Sequence, residues 1–199
     1  EYRRVVAGPG IQLDWDKMEG LKDTLGRNGV TSNYSREHCA YTWECIQGLD
    51  GGTALFTQPP MPIKCAGAPQ KIAYLAADYW RREGRLYKTR VEFLLAGDVL
   101  FGVKYFVPPL QKMVDYYGID LHYKENLIRV DGEKKEAVFQ RVVSVETITR
   151  SFDMLHVTPP QSAPDFIKQS PLANAAGWID VDPATLRHVK YDDIFALGD

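Results

Sequence analysis

Between residues 53 and 123 the chain alternates short apolar runs with amphipathic stretches, and this alternation constrains the fold more than any other feature. The runs at 53–57, 90–96 and 119–123 have the length and patterning of strands. The stretches at 69–83 and 110–117 have helical spacing, and each is followed by a glycine. Three strands joined by two helices predict a parallel sheet with right-handed crossovers.

The first of these helices has a clear apolar face. Pro69 suits its first turn, because the missing N–H of proline is not needed there. The residues expected to face the sheet recur at helical spacing and are Ile72, Leu75, Ala76, Tyr79 and Trp80.

The rest of the chain completes an α/β pattern. Residues 37–49 predict a further helix, and residues 154–157 predict another strand. Residues 126–150 form short alternating runs around Asp131-Gly132, which predict an antiparallel meander. The remaining strand candidates are a buried strand in 5–10 and two short strands at 178–181 and 194–197. We therefore predict an α/β fold: a Rossmann-like three-layer domain with a parallel sheet and an antiparallel β-meander.

Charge and composition exclude several classes of function. The 24 basic and 26 acidic residues leave a net charge of −2, so the basic excess that neutralises duplex phosphates is missing. No apolar run approaches the roughly 18 residues of a membrane span. Three cysteines are too few for a secreted disulfide framework, which favours a reducing compartment. We expect a soluble domain that binds no nucleic acid.

The segment that follows the strand at 53–57 lacks the glycines of a dinucleotide site. A G-x-G-x-x-G turn is normal there, because only glycine lets a pyrophosphate approach the backbone and the helix N-terminus. Here Pro59, Pro60 and Pro62 occupy the positions where flexible glycines are needed. No acidic residue clearly caps the next strand as a ribose ligand, although Asp98 lies close. The segment therefore argues against NAD binding.

Cys65 is the candidate reactive residue of the same segment. It stands four residues before Pro69, near the positive end of the predicted helix, and close in sequence to Lys64 and Lys71. A helix N-terminus and neighbouring lysines both favour the thiolate, which is the nucleophilic form of cysteine. The alternative is a small buried hydrophobic residue, which is the commonest environment of a free cysteine. The surroundings of Cys65 leave both interpretations open.

No metal site is predicted. Cys39 and Cys45 are six residues apart on a predicted helix, so they lie on different faces and lack a ligand spacing. The four histidines are scattered and form no H-x-x-x-H pair; they are His38, His122, His156 and His188.

The last residues form a short apolar strand that delivers Gly198 and Asp199 at its carboxyl end. In flavoproteins such an aspartate hydrogen-bonds the flavin side chain, and the glycine allows the backbone to approach closely. A plain strand-to-turn exit fits the same residues, so this segment alone does not decide between them.

Several strings together resemble the sulfide:quinone oxidoreductase family of the mitochondrial and proteobacterial type. They are TSNYS, YTWECI, FTQPPMPIKCAGAPQKI, FGVKYF, YKENLIRVD, MLHVTPP, AAGW and the closing FALGD. The resemblance covers nearly the whole chain in the right order, and IKCAGAPQK is its most specific segment. FALGD and VVAGPG are shared with many flavoproteins.

The resemblance implies roles for particular residues. Cys65 matches one of two redox-active cysteines, and neither Cys39 nor Cys45 matches the other. Lys71 matches a lysine close to the flavin pocket. The remaining positions match segments that face FAD. These positions are Pro9 and Gly10, the turn Thr158-Pro159-Pro160, and Gly198 with Asp199.

The resemblance also implies a domain organisation. Residues 1–30 match a partial FAD-binding segment and linker, residues 31–157 a second, pseudo-NAD Rossmann-like domain, and residues 158–199 a return to the FAD-binding domain. The chain is thus expected to be the central fragment of a longer protein, with partial elements of a second FAD-binding domain. The first FAD motif should precede it, and the second redox cysteine and the membrane-binding helices should follow it.

The implied chemistry of the longer protein is sulfide oxidation. Sulfide attacks a cysteine disulfide, one cysteine becomes a persulfide, and two electrons pass through FAD to a quinone. A sulfane-sulfur acceptor then removes the oxidised sulfur. The family implies a peripheral location on the mitochondrial or bacterial inner membrane, with membrane contact through segments outside this chain.

Two alternatives stay open. One is another flavoprotein with two dinucleotide-binding domains, such as a type II NADH dehydrogenase or a pyridine nucleotide-disulfide reductase. The other is a non-catalytic isolated domain: we expect the fragment alone to be inactive and to hold FAD weakly or not at all.

Overall fold

The computed structural model describes residues 2–198, and these divide into two compact units. The central unit is Trp15–Pro160, and the second unit consists of residues 2–14 and 161–198. The strands are β1 (Val5–Ala7), β2 (Gln12–Leu13), β3 (Val30–Thr31), β4 (Gly52–Gln58), β5 (Thr89–Leu95), β6 (Asp120–Tyr123), β7 (Glu125–Asp131), β8 (Glu136–Arg141), β9 (Thr147–Ser151), β10 (Met154–His156), β11 (Gln161–Ser162) and β12 (Ile194–Ala196). The helices are α1 (Leu21–Thr24), α2 (Cys39–Gly48), α3 (Ala68–Arg82), α4 (Val107–Tyr117) and α5 (Asp165–Lys168).

The parallel sheet predicted for the central unit is confirmed. Its strands are all parallel and lie in the order β3-β10-β4-β5-β6. β4 and β5 pair from Gly52 opposite Thr89 to Gln58 opposite Leu95. Helices α3 and α4 connect β4 to β5 and β5 to β6, as the alternation predicts. The sequence missed β3, because a strand of two residues has no recognisable periodicity.

The sheet is covered on both faces, which makes the unit three-layered. Phe56 of β4 and Phe93 of β5 lie in one core cluster with residues of α2, α3 and α4. Their neighbours Leu55 and Leu94 lie in a second cluster with residues of β7 and β8. All four side chains are at most 1% exposed. Burial on both faces explains why these strands are continuously apolar rather than alternating, and the predicted fold class is confirmed.

The buried face of α3 differs from the predicted one. The residues that contact the sheet side include Ala73, Ala76, Ala77 and Trp80, whereas Leu75 is 66% exposed. The small alanine side chains let the helix backbone lie close to the sheet. The face of α3 that packs on the sheet is therefore the one that carries the alanines, and Leu75 lies outside it. Trp80 fills the end of this interface, and its Nε1 donates a hydrogen bond to the Ile46 carbonyl at 2.8 Å.

The antiparallel meander predicted around Asp131-Gly132 is also confirmed. β7, β8 and β9 pair in sequence, and the first turn places Asp131 opposite Glu136. The Asp131 carboxylate accepts a hydrogen bond from the Lys134 amide at 3.0 Å. That bond lowers the pKa of Asp131 and stabilises the turn.

The second unit contains two small sheets, and two predictions fail there. β1 pairs with β12 in parallel, and β2 pairs with β11 antiparallel. Residues 5–7 form the predicted strand, but its valines at 5 and 6 are 42% and 66% exposed rather than buried, because a two-stranded sheet buries little of either face. No strand forms at 178–181 within the described residues, where Ile179 and Val181 make isolated bridges instead.

Along the chain, the boundaries of the two units fall after residues 14 and 160. Residues 15–30 belong to the central unit because their apolar side chains lie in its core. Met18 and Leu21 are at most 3% exposed in the cluster formed with β7 and β8. The backbone at Glu19 donates to the Ile128 carbonyl at 3.2 Å and accepts from the Val130 amide at 2.9 Å.

A buried ion cluster links the parallel sheet to the meander. Glu92, in the middle of β5, is 3% exposed. The Arg150 guanidinium on β9 donates to Glu92 at 3.1 Å and to Glu125 at 2.8 Å. It also donates to His122 Nδ1 at 3.3 Å, while His122 Nε2 lies 2.8 Å from the Glu92 carboxylate. Buried carboxylates need such partners, since an unpaired charge is costly away from water.

We predict that Arg150→Met lowers the free energy of unfolding by about 3 kcal/mol, because the largely buried Glu125 loses this cation and Glu92 keeps only the exposed Arg90. Urea unfolding followed by circular dichroism measures the change. The matched control is Arg141→Met on the neighbouring strand, whose side chain is exposed; its effect should stay within about 0.5 kcal/mol. Equal effects of the two variants would contradict the assigned role of Arg150.

Candidate active site

Cys65 lies in the loop that joins β4 to α3, at the carboxyl end of the parallel sheet. The loop is anchored by Ile63, which is 6% exposed. Pro69 occupies the first turn of α3, as predicted. The Cys65 thiol is exposed. The interpretation of Cys65 as a buried hydrophobic residue is therefore wrong, and its sulfur is accessible in this chain.

The Cys65 backbone is in the left-handed region, with φ of +56°. A residue with a Cβ adopts this conformation at a cost of about 1 kcal/mol or more, and it persists only where neighbouring groups hold it. Two hydrogen bonds flank Cys65. Its carbonyl accepts from the Ala68 amide at 2.8 Å, and the preceding Lys64 carbonyl accepts from the Tyr34 hydroxyl at 3.0 Å.

Lys71 lies beside the thiol. Its Nζ is 3.7 Å from Cys65 Sγ, and both groups are exposed. Lys71 is in the first turn of α3, one turn beyond the cap residue Gly67, whose carbonyl accepts from the Lys71 amide at 3.0 Å. An ammonium at this distance stabilises negative charge on sulfur. Of the two lysines that the sequence analysis named near Cys65, the structure places Lys71 beside the sulfur.

The turn Thr158-Pro159-Pro160 lies at the same end of the sheet as the Cys65 loop. The Thr158 amide donates to the Thr57 hydroxyl at 3.2 Å, and that hydroxyl donates to the His156 carbonyl at 3.3 Å. Thr57 is near the end of β4, so this turn is fixed to the strand that leads into the Cys65 loop. The Thr158 hydroxyl is buried and has no hydrogen-bond partner among the described residues.

His156 is a residue whose role the sequence analysis missed. It is fully buried at the end of β10 and stacks on Phe56 with ring centroids 5.8 Å apart. Its Nε2 lies 3.1 Å from the Asn33 amide and 2.9 Å from Asn33 Oδ1, so Asn33 is its partner in either neutral tautomer. Burial lowers the pKa of His156 from 6.5 to about 3, which keeps the ring neutral.

This burial predicts a pH dependence of stability. In the unfolded chain His156 titrates near its ordinary value, whereas the folded chain resists protonation, so stability is lost as pH falls below about 6.5. Between pH 7 and pH 5 the free energy of unfolding should fall by roughly 2 kcal/mol more in the unmodified protein than in His156→Gln. Urea unfolding at the two pH values tests this. An equal fall in the free energy of unfolding from pH 7 to pH 5 in both proteins would contradict it.

The second unit places Pro9 and Gly198 in one cavity of about 380 Å³. The cavity has further apolar walls, among them Trp178 and Leu197. Gly198 has φ of +105°, and a Cβ at this position would meet no atom within 4 Å. Gly10 has φ of +74° and is equally open. Bare backbone facing open space is what the approach of a flat or phosphate-bearing group requires, whereas a side chain would fill that space.

The other predicted cofactor residue, Asp199, lies outside the described residues. Gly198 precedes it at the end of β12, where the Leu197 amide donates to the Ala7 carbonyl at 3.1 Å. The exits of β1 and β12 are therefore adjacent, and these exits carry Pro9 and Gly198.

The two remaining cysteines differ from Cys65. Cys39, Cys45 and Cys65 are all free thiols. Burial raises the pKa of the Cys45 thiol, so Cys45 is a poor nucleophile at neutral pH. Cys39 is exposed, and its thiol donates to the Arg36 carbonyl at 3.1 Å. Within residues 2–198 no group of three or more His, Cys, Asp or Glu side chains has the arrangement of a metal site.

The structure contains no helix, across residues 2–198, that has both the length and the apolar character to cross a membrane.

Comparison with known proteins supports the resemblance given by the motifs. No protein-family model matches the chain. A mitochondrial sulfide:quinone oxidoreductase of Mus musculus is 45% identical over 199 residues, which is all of this chain and 44% of the relative. One of Dictyostelium discoideum is 45% identical over 201 residues, with the same shares covered. The predicted family resemblance is thereby confirmed at the level of sequence.

A solved structure gives the same fold. The sulfide:quinone oxidoreductase of Aquifex aeolicus superposes with a TM-score of 0.83 at 18% identity, covering all of this chain and 46% of that chain. At this identity the likeness supports the fold alone. The chain spans less than half the length of the curated relatives it matches.

Proposed function

This chain is a relative of the sulfide:quinone oxidoreductases along its whole length, and on that premise we propose that its full-length protein oxidises sulfide. The proposed electron acceptor is a quinone, reached through FAD. The observation that carries the proposal is an exposed Cys65 thiol with the Lys71 ammonium 3.7 Å from its sulfur. That pairing is suited to thiol–disulfide chemistry, in which a cysteine alternately attacks and leaves as a thiolate.

In the proposed reaction, Cys65 forms a disulfide with a second cysteine elsewhere in the full-length protein. Hydrosulfide attacks one sulfur of this bond, the S–S bond breaks, and the other sulfur leaves as a thiolate with the electron pair. The attacked cysteine becomes a persulfide, and an acceptor thiol or other nucleophile then removes its outer sulfur. Two thiols remain, and re-forming their disulfide releases two electrons. FAD supplies a two-electron acceptor that a quinone can reoxidise.

Lys71 contributes charge at the step in which Cys65 is a thiolate. The ammonium lies 3.7 Å from Cys65 Sγ, where its positive charge attracts the anionic sulfur species of the exchange. The left-handed backbone of Cys65 keeps the sulfur at the surface of its loop, where hydrosulfide and the sulfur acceptor can reach it.

The residues of the second unit fit one edge of an FAD site. Pro9 and Gly198 line its cavity, and the open glycine backbone allows close approach of the cofactor. We propose that Pro9, Gly10, Gly198 and Asp199 hold FAD in the full-length protein, and that Lys71 and the turn Thr158-Pro159-Pro160 lie near it. We further propose that residues 2–14 and 161–198 are FAD-binding and that the central unit is a pseudo-NAD domain.

The alternative of a type II NADH dehydrogenase or a pyridine nucleotide-disulfide reductase is less well supported. Either would need a glycine-rich turn between β4 and α3 to receive a dinucleotide. In this chain the turn contains three prolines, of which Pro59 is buried and Pro60 and Pro62 are exposed. The segment instead presents a cysteine, which such a turn does not require.

We propose that the full-length protein works at the inner membrane of a mitochondrion or bacterium, as its quinone substrate requires. Membrane contact is assigned to segments outside these residues. The 199-residue chain alone is proposed to be inactive, because catalysis requires the second cysteine and a complete FAD site. A purified chain with a flavin absorbance spectrum and sulfide-dependent turnover would refute this last point.

We expect Cys65→Ser to lower sulfide-dependent quinone reduction by at least about 100-fold in the full-length protein, since the disulfide cannot form. The assay follows reduction of a short-chain quinone at fixed sulfide. Cys39→Ser is the matched control, because Cys39 is also exposed and its thiol donates to the Arg36 carbonyl. Full turnover in Cys65→Ser would remove Cys65 from the mechanism.

Gly198→Val should lower the FAD affinity of the full-length protein roughly tenfold, which corresponds to about 1.4 kcal/mol of lost binding. The added side chain would occupy the open space in front of the Gly198 backbone. Flavin content after dialysis, read from absorbance, measures the loss. Gly84→Val controls for backbone strain, since Gly84 also has a positive φ, of +65°, and open surroundings. Equal flavin loss in both variants would point to strain rather than to a cofactor contact.

A further inference from the structure

We propose that Tyr34 is a positioning residue for Cys65: its hydroxyl holds the Cys65 loop so that the thiol stays beside Lys71. This inference rests on the proposed function, because it assigns the device that keeps the reactive thiol in place. It also makes a claim about Cys65 that can be measured without sulfide, quinone or FAD.

The first step is the geometry of the two peptide planes around Cys65. The φ and ψ angles of a residue describe how the plane before it and the plane after it turn relative to its Cα. The preceding plane contains the Lys64 carbonyl, which accepts from the Tyr34 hydroxyl at 3.0 Å. The following plane contains the Cys65 carbonyl, which accepts from the Ala68 amide at 2.8 Å. Both planes are therefore held, and the left-handed Cys65 is fixed between them.

The second step is that the two hydrogen bonds are not equivalent. The bond to Ala68 is local, since it closes a turn that leads into α3 and spans three residues. The bond from Tyr34 spans 30 residues and comes from the loop that follows β3. Of these two bonds, the one from Tyr34 ties the Cys65 loop to the loop that follows β3. A local turn alone would leave the preceding plane free to rotate toward the ordinary right-handed or extended conformations.

The third step is that the backbone around Tyr34 is itself held by hydrogen bonds. Its amide donates to the Ser32 hydroxyl at 3.2 Å. The preceding residue, Asn33, is bonded through its amide or its side-chain oxygen to Nε2 of the buried His156. The His156 ring stacks on Phe56 in the core. Tyr34 is thus connected to the core through its neighbour Asn33, which bonds His156, and through the stacking of His156 on Phe56.

The consequence concerns the distance between the Cys65 sulfur and the Lys71 ammonium, which is 3.7 Å in the structure. The direction of the Cys65 side chain follows from its φ and ψ angles. Loss of the Tyr34 hydroxyl lets the strained φ relax, and the sulfur moves away from Lys71. The thiol then reacts as an ordinary exposed cysteine, with no preference for anions.

The test compares two alkylating reagents on the reduced full-length protein. Iodoacetate is an anion and iodoacetamide is neutral, so the ratio of their rates at Cys65 reports how close the Lys71 charge is to the sulfur. Mass spectrometry of the Cys65 peptide restricts the measurement to this residue. In the unmodified protein we expect the ratio to exceed that of a small free thiol by about fivefold, the size of a unit-charge attraction at about 4 Å in water.

Four variants complete the experiment. Lys71→Met should lower the ratio to that of the free thiol, and Tyr34→Phe should lower it to nearly the same value. The double variant should show no further loss, because both single changes remove the same contact. Tyr87→Phe is the matched control, since Tyr87 is 85% exposed in the short 3-10 helix Leu86–Lys88, and it should keep the full ratio.

Alkylation of the half-buried Cys45 provides the folding check, because general loosening would speed it. A Tyr34→Phe protein that keeps the full ratio while Lys71→Met loses it would overturn the proposal. A loss of the ratio together with faster Cys45 alkylation would overturn it too, since Tyr34 would then be a general stabilising residue. Loss of the ratio at unchanged Cys45 reactivity supports it. An absence of sulfide-dependent quinone reduction in the unmodified protein would refute the proposed function and leave the positioning role of Tyr34 intact.

Discussion

Burial of β4 and β5 on both faces is the constraint on which the central unit depends. Phe56 and Phe93 pack toward the helices, and Leu55 and Leu94 pack toward the meander. Each such side chain contributes about 1.5–3 kcal/mol through removal from water, so the two strands cannot slip or turn over without losing both layers. With the strands fixed, their carboxyl ends are fixed as well. The loop that leaves β4 carries Cys65, and the turn beginning at Thr158, which follows β10, is hydrogen-bonded to Thr57 of β4.

Among the buried polar groups of the central unit, Glu92 and His156 are each tolerated for a different reason. The Glu92 carboxylate accepts a hydrogen bond from Arg150 of the meander and lies 3.1 Å from Arg90 of its own strand. His156 remains uncharged because burial lowers its pKa, and Asn33 satisfies the ring nitrogen nearest the surface loop. The first group joins two layers of the fold. The second, through its hydrogen bond to Asn33, fixes the loop that contains Tyr34 relative to the sheet. Tyr34 in turn bonds the loop that contains Cys65.

Much of the central unit was predictable because its periodicities are strong. The strand and helix alternation, the meander and the shortage of glycine after β4 could all be read from local sequence. The prediction failed where burial depends on partners distant in sequence. Leu75 was expected to be buried and is exposed, because three alanines set the distance between α3 and the sheet. The valines of β1 are of a residue type that is usually buried. They are exposed here because their sheet has two strands and covers little of either face.

The sequence by itself determined the fold class, the family resemblance and the choice of Cys65 as the candidate nucleophile. Those properties depend on residue type and spacing along the chain, which the sequence contains directly. Only the tertiary structure decided that Cys65 is exposed and left-handed, that Lys71 lies beside its sulfur, and that Tyr34 holds the peptide plane before it. Tyr34 and Lys64 are 30 residues apart, and their hydrogen bond exists only because β3, β10 and β4 lie side by side. No local pattern contains that adjacency, since it results from burial of the whole sheet.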